Sequence, residues 1–113
     1  MKMVIAIIQP WRLEYVKEAL YAAEVKLMTV SEVLGHGRQD GAPEIYRGQK
    51  ETGNLLRKIR LEIAVNEAFV EPTIAAIQKG AKTGEVGDGK IFVYELAEVV
   101  RIRTGERGGK AIG

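Results

Sequence analysis

The stretch Thr83-Gly84-Glu85-Val86-Gly87-Asp88-Gly89-Lys90 holds the densest set of groups able to bind an anion. Its glycines let successive backbone N–H groups converge on one point, and Lys90 adds a positive charge. Gly84-x-x-x-x-Gly89-Lys90 matches most of a phosphate-loop pattern but fails it twice. Ile91 stands where Ser or Thr would hold Mg²⁺, and the stretch runs from helix to strand, so no helix N-terminus faces a phosphate. Two readings stay open, an anion nest or a glycine-rich turn. Arg101 and Arg103 have period-two spacing, so on a continuing strand they share one side. Two guanidinium forks suit a polyphosphate, and equally make a basic strand end in water. His36 lies close to Arg38 in another glycine-rich strand end, with no carboxylate partner at useful spacing. Glu95 with Glu98 and Glu14 with Glu18 fall on expected solvent faces, beside no nucleophile. No catalytic constellation emerges.

A second candidate is the connection from about Gly37 to Leu55. It joins two expected hairpin strands, where loops of roughly two to five residues are usual. Arg38, Gln39, Asp40, Glu44, Arg47, Gln49, Lys50 and Glu51 dominate it, with Ile45 and Tyr46 as its large hydrophobes before Leu55. Such a segment cannot pack on itself, so it is either idle or orders on a ligand or partner.

Composition narrows the chemistry. Among 113 residues there is no Cys and one His, which removes thiolate metal sites, cysteine nucleophiles and most histidine-based chemistry. A net charge of +2, with two Phe and one Trp, gives little support to a nucleic-acid surface. The longest apolar run, Val4 to Ile8, is far below the roughly 20 residues of a membrane span. The start lacks a signal-peptide core, so a cytoplasmic location is expected.

The elements that must position these groups are readable by periodicity. Met3–Ile8 is apolar on both pleat faces and stopped by Pro10, a buried strand. Leu13, Val16, Leu20 and Ala23 form the stripe of a helix over Arg12–Ala23. Lys26–Leu34 predicts a second strand, ending at Gly35. Ile59, Leu61, Ile63 and Val65 alternate with Arg60, Glu62 and Ala64, the clearest strand of all. Asn66 is placed to cap a second helix, with Pro72 in its first turn, Val70, Ile74, Ile77 and Ala81 as its stripe, and Gly84 as its stop. Ile91–Tyr94 starts a last strand continuing less regularly through Leu96 and Val99-Val100 to Ile102, and the glycine-rich tail from Gly105 is expected to be mobile. The order βαββαβ predicts one α+β domain over 1–113, a ferredoxin-like sandwich with both helices on one face of an antiparallel sheet. The other face, tempered by Ala6, Ala64 and Ala97, predicts a homo-oligomer that buries it.

Taken together, the segments closely resemble the PII nitrogen-regulatory signal-transduction family. The resemblance rests on Gly35-His36-Gly37-Arg38-Gln39, Glu44-Ile45-Tyr46-Arg47-Gly48, Thr83 through Val93, and Arg101-Ile102-Arg103-Thr104-Gly105-Glu106, and runs from Met1 to about Glu106. It implies a homotrimer with ATP or ADP in each cleft between neighbours. It also implies a target-engaging T-loop at about 37–55, a B-loop at about 82–90 and a C-loop at about 102–109 reaching over from the adjacent subunit. By the family's pattern Gly87, Asp88, Gly89, Lys90, Arg101, Arg103 and Arg38 would bind phosphates. Thr29, Gly35, His36, Gly37 and Ala64 would surround adenine and ribose. A nest, a lysine and several arginines suit the roughly four negative charges of a triphosphate.

The resemblance further implies 2-oxoglutarate as effector, chelating a Mg²⁺ shared with ATP. Gln39 would ligate that metal, Lys58 would pair with the distal carboxylate, and Gly87 would lie beside it. ADP, lacking the γ-phosphate, would suit the metal and effector less, so the two nucleotides would select different T-loop conformations. Departures are informative. Glu51 stands where many bacterial members carry a uridylylated tyrosine, which excludes that modification at 51. Gln49 stands where some members carry a phosphorylated serine. Gln9 replaces a common basic residue near the effector site, and Arg57 a usual proline. The expectation is a non-enzymatic sensor controlling an ammonium transporter or a nitrogen-metabolism enzyme, meeting a membrane only through such a transporter. The alternatives are a PII-like adenine-nucleotide sensor with another small-anion effector, and an ATPase, for which no general base can be named.

Overall fold

The alternation at Ile59–Val65 organises the sheet. The computed structural model describes residues 1–36 and 55–113. In it β3 (Leu55–Val65) turns Ile59, Leu61, Ile63 and Val65 into the core and Arg60, Glu62 and Ala64 to the other face. Strand β1 (Lys2–Ile8) pairs with β3 on one side and β4 (Gly89–Glu95) on the other, and β2 (Thr29–His36) pairs with β3. The order is β2-β3-β1-β4, antiparallel throughout. β1 is central in the sheet and apolar at every position from Met3 to Ile8, although within this chain helices cover only the face of Val4, Ala6 and Ile8.

Helices α1 (Leu13–Ala22), entered through a 3₁₀ turn at Pro10–Arg12, and α2 (Val70–Ala81) cover one face. Val16 and Leu20 of α1, and Val70, Ala76, Ile77 and Ala81 of α2, join Val4, Ala6, Ile8 and the β3 stripe in one core. Gly80 lets the helices close: a Cβ there would lie 2.6 Å from Val16 Cα. The open face carries Ile7, Phe92 and Tyr94, along with the charged row Lys58, Arg60 and Glu62 of β3. The expected apolar character therefore holds for β1 and β4 and not for β3. Ala6, expected on this face, lies in the core, opposite Leu61 and Ile91.

The boundaries differ from expectation where partners run out. β2 begins at Thr29 and continues to His36 because β3, starting already at Leu55, pairs with it over that length. Asn66 precedes a 3₁₀ turn, Glu67–Phe69, and donates Nδ2 to the Gly109 carbonyl at 3.1 Å instead of capping a helix. α2 starts at Val70, with Pro72 in its first turn, and ends at Ala81, before Gly84. The last strand stops at Glu95, the partner of Lys2, where β1 begins; Leu96 N–H reaches only the Met1 carbonyl. Val99-Val100 contributes one isolated bridge, Val100 to Arg107. The tail is not loose: it folds back through Arg101 N–H to the Glu106 carbonyl, 2.9 Å, into a 3₁₀ turn at Gly108–Ala111. No helix among the described residues is long and apolar enough to cross a membrane.

Two substitutions test this packing by urea unfolding. Gly80→Ala should destabilise by about 1–2 kcal/mol, overpacking outweighing the gain in helix propensity. Thr73→Val should stabilise by about 1 kcal/mol, because the buried Thr73 hydroxyl finds no partner among the described residues.

Candidate functional site

The turn from α2 to β4 is organised from within. The Asp88 carboxylate accepts the N–H groups of Thr83 and Gly84, at 2.8 and 2.9 Å, and the Thr83 hydroxyl. Thr83 Oγ1 in turn accepts Glu85 N–H at 3.1 Å. These bonds, the Thr83 hydroxyl first, hold the Asp88 pKa below its ordinary value. The first half of the loop thus consumes its own donors. The N–H groups of Val86 and Gly87 donate to no described residue, and that of Asp88 makes only the loose closure of the Glu85–Asp88 turn, leaving consecutive donors for an anion. Gly87 and Gly89 have φ of 103° and 111°. At Gly89 a Cβ would lie 1.9 Å from the Ile7 carbonyl oxygen, so only glycine allows the loop to enter β4 here.

The loop forms one wall of an open cleft of about 750 Å³, lined also by Ile7, Phe92, Gly35, His36 and Lys58. Ligand-sized clefts fall in this range. Lys58 is 9% exposed, and burial lowers its pKa. It has no ion pair among the described residues. Gly35 makes room for its stem: a Cβ there would stand 3.3 Å from Lys58 Cγ. Of the two lining carboxylates, Asp88 is committed to the loop and Glu85 is exposed. Free amides, a desolvated unpaired ammonium and Lys90 together fit a multiply charged anion.

Seven sequence-predicted residues meet here: Gly35, His36, Lys58, Gly87, Asp88, Gly89 and Lys90. Asp88 differs from expectation, since its carboxylate is turned into the loop and accepts from Thr83 and Gly84. Thr29 pairs with Glu62 and Ala64 with Met3; Ala64 lies four residues along β1 from the Ile7 level, roughly 13 Å away. Arg101 and Arg103 are not on a strand and do not share a strand side. Arg101 binds the Glu106 carboxylate and donates to the Lys110 carbonyl at 3.0 Å, while Arg103 is exposed in the following turn. Gly37, Arg38 and Gln39, with the T-loop, lie outside the described residues. Among the described residues no cluster of three His, Cys, Asp or Glu could hold a metal. Sequence reasoning missed that Thr83 and Asp88 close the loop on each other. The available signal was a hydroxyl and a carboxylate bracketing a glycine-rich turn, both prone to bond local backbone.

The chain matches the sequence profile described as "Nitrogen regulatory protein P-II" over residues 1–106. It belongs to the P-II family. It is 51% identical over 112 residues to the nitrogen regulatory protein P-II of Rhodospirillum rubrum, covering 99% of this chain and 100% of that protein. Nitrogen regulatory protein GlnK1 of Methanosarcina mazei is 56% identical over 114 residues, covering 99% of this chain and 97% of that protein. The crystal structure of Arabidopsis thaliana PII bound to citrate superposes with a TM-score of 0.80 at 41% identity, covering 97% of this chain and 90% of that one. P-II proteins are regulatory signal transducers, generally trimeric, that bind ATP or ADP and 2-oxoglutarate.

The buried ammonium gives a prediction of sign. A depressed lysine pKa means the folded state resists the proton. The cost is fully present below the folded-state pKa and relieved as pH rises toward the unfolded value of 10.5. Lys58→Met should raise the Tm of the ligand-free protein at pH 7 by a few degrees and flatten the rise in stability at alkaline pH. A lower Tm in calorimetry would mean that Lys58 is paired.

Proposed function

We propose that this P-II protein is a non-enzymatic sensor that holds ATP or ADP in a cleft completed by a neighbouring copy of the chain. The observation that carries this reading is the convergence of the Val86, Gly87 and Asp88 amides with Lys90 and Lys58 in one cleft. Free amides and Lys90 would take the phosphates, and His36 and Gly35 would border the nucleotide. Ala64 toward the far end of this chain's own sheet, Thr29 at the start of β2, and Arg101 and Arg103 in the C-terminal turn would come from the neighbour in a homotrimer. Supporting that assembly, Ile102 beside these arginines is 99% exposed, and Phe92 and Tyr94 on the open face are each 51% exposed.

In this reading Lys58 is the counter-charge for the distal carboxylate of 2-oxoglutarate, because a buried ammonium with no ion pair among the described residues is relieved by a bound anion. Gln39 would hold a Mg²⁺ that, when bound, links the effector to the ATP phosphates. The segment at about 37–55, starting from the strand end at His36 that lines the cleft, would carry the ligand state to a target protein. An ammonium transporter or a nitrogen-metabolism enzyme is the proposed target, reached from the cytoplasm. An ATPase reading gains little, since Asp88 is spent within the loop. A different small-anion effector is favoured by one observation. Gln9, bonded to the loop that lines the cleft, brings no charge and donates its amide to the Gly87 carbonyl. The citrate on the Arabidopsis relative makes citrate a natural comparison ligand.

Calorimetric titration separates the readings. 2-Oxoglutarate should bind in the presence of Mg-ATP and not in the presence of ADP. Citrate binding under conditions where 2-oxoglutarate gives no heat would move the assignment to the second reading. Absence of ATP and ADP binding would refute the nucleotide site itself.

A further inference from the structure

One short corner of the chain grips the anion-binding loop at both ends. Gln9, the residue between β1 and the Pro10–Arg12 turn, donates Nε2 to the Gly87 carbonyl at 2.8 Å. Three residues on, Arg12 donates Nε to the Gly80 carbonyl at 2.8 Å, in the last turn of α2. The Arg12 N–H bonds back to the Gln9 carbonyl at 3.0 Å, so the two donors are held in one rigid turn. Arg12 fixes where the loop leaves the helix, and Gln9 fixes the peptide just before it enters β4.

The consequence follows from peptide planarity. In a trans peptide the carbonyl and the following N–H point in opposite directions, and no cis peptide occurs among the described residues. Holding the Gly87 carbonyl toward Gln9 therefore aims the Asp88 N–H away from the β1 corner. That N–H makes no described hydrogen bond beyond the loose closure of the Glu85–Asp88 turn. Gly87, at φ 103°, has the freedom to turn this peptide the other way, which would put a carbonyl oxygen where an anion needs a donor.

Building on the nucleotide reading above, we propose that Gln9 is a positioning residue for phosphate binding. Its amide pins the Gly87–Asp88 peptide so that the N–H, rather than the carbonyl, serves the anion. Gln9 touches no phosphate in this account. Any side chain that donates to the Gly87 carbonyl performs the role, and one that cannot donate fails at it, whatever its effect on folding.

The test is titration of ADP, without metal or effector, into the full-length protein at 0.5 M salt, where an added charge counts for little. The variants are Gln9→Leu, Gln9→Glu and Gln9→Lys. Gln9→Leu should weaken ADP about tenfold, the value of one hydrogen bond. Gln9→Glu should weaken it further, an acceptor then facing an acceptor. Gln9→Lys, which keeps a donor, should return affinity to within about threefold of the wild type. Affinity should follow donor capacity across the set while Tm does not. Equal affinity of wild type and Gln9→Leu, or Gln9→Lys as weak as Gln9→Leu, would overturn the positioning role and leave the nucleotide site standing. Wild-type protein that binds no ADP would remove the nucleotide reading, and this inference with it.

Discussion

The functional end of this molecule depends on a carboxylate that binds nothing outside its own loop. Asp88 draws in the N–H groups of Thr83 and Gly84 and the Thr83 hydroxyl, and only then can the amides that follow remain free. In the open cleft water can satisfy those amides, and an anion would take its place. Lys58 has the same logic at larger scale: a cation sheltered from water, with its pKa lowered and no counter-ion among the described residues. Both are arrangements that, under the proposed function, an anion would complete.

The sheet explains why one copy does not carry the whole proposed site. β1 links the two ends: Ile7 stands opposite Lys90 and Arg60, and Lys2 stands opposite Glu95 and Val65. Glycine-loop amides and Lys58 gather at the first end. Ala64 lies toward the second, as do Asn66 and the C-terminal turn that holds Arg101 through the Lys110 carbonyl. A rigid sheet cannot fold its ends together. Under the proposed assembly the distance becomes useful, each cleft taking its loop from one subunit and its arginines from the next. Nucleotide occupancy is then coupled to the interface itself.

Much of the fold was readable because periodicity and packing agree. The β3 alternation and the Val16–Leu20 and Val70–Ile77–Ala81 stripes all reappear in one core. The sequence misled where local character and partner availability diverge. Val99-Val100 has strand character, yet β1 has ended at Lys2 and no strand remains to pair with it. The period-two argument for Arg101 and Arg103 fell with that strand. Gly105 and Gly108, both at positive φ, turn the tail back on itself where glycine content alone suggested looseness. In the site, Lys90 and the glycines were evident by type. The closure by Thr83 and Asp88 spans five residues and was signalled by their types, whereas the grip of Gln9 and Arg12 carries side chains to backbone carbonyls 78 and 68 residues away, which no local pattern encodes.

The central claim is that the Val86–Asp88 amides are the phosphate donors. The most direct measurement is amide chemical shift in a ¹⁵N-labelled sample titrated with ADP. The account predicts large downfield proton shifts at Val86, Gly87 and Asp88, while Thr83 and Gly84, already bonded to Asp88, move little. Saturable ADP binding that leaves those three amides in place, or that shifts Thr83 and Gly84 instead, would contradict it.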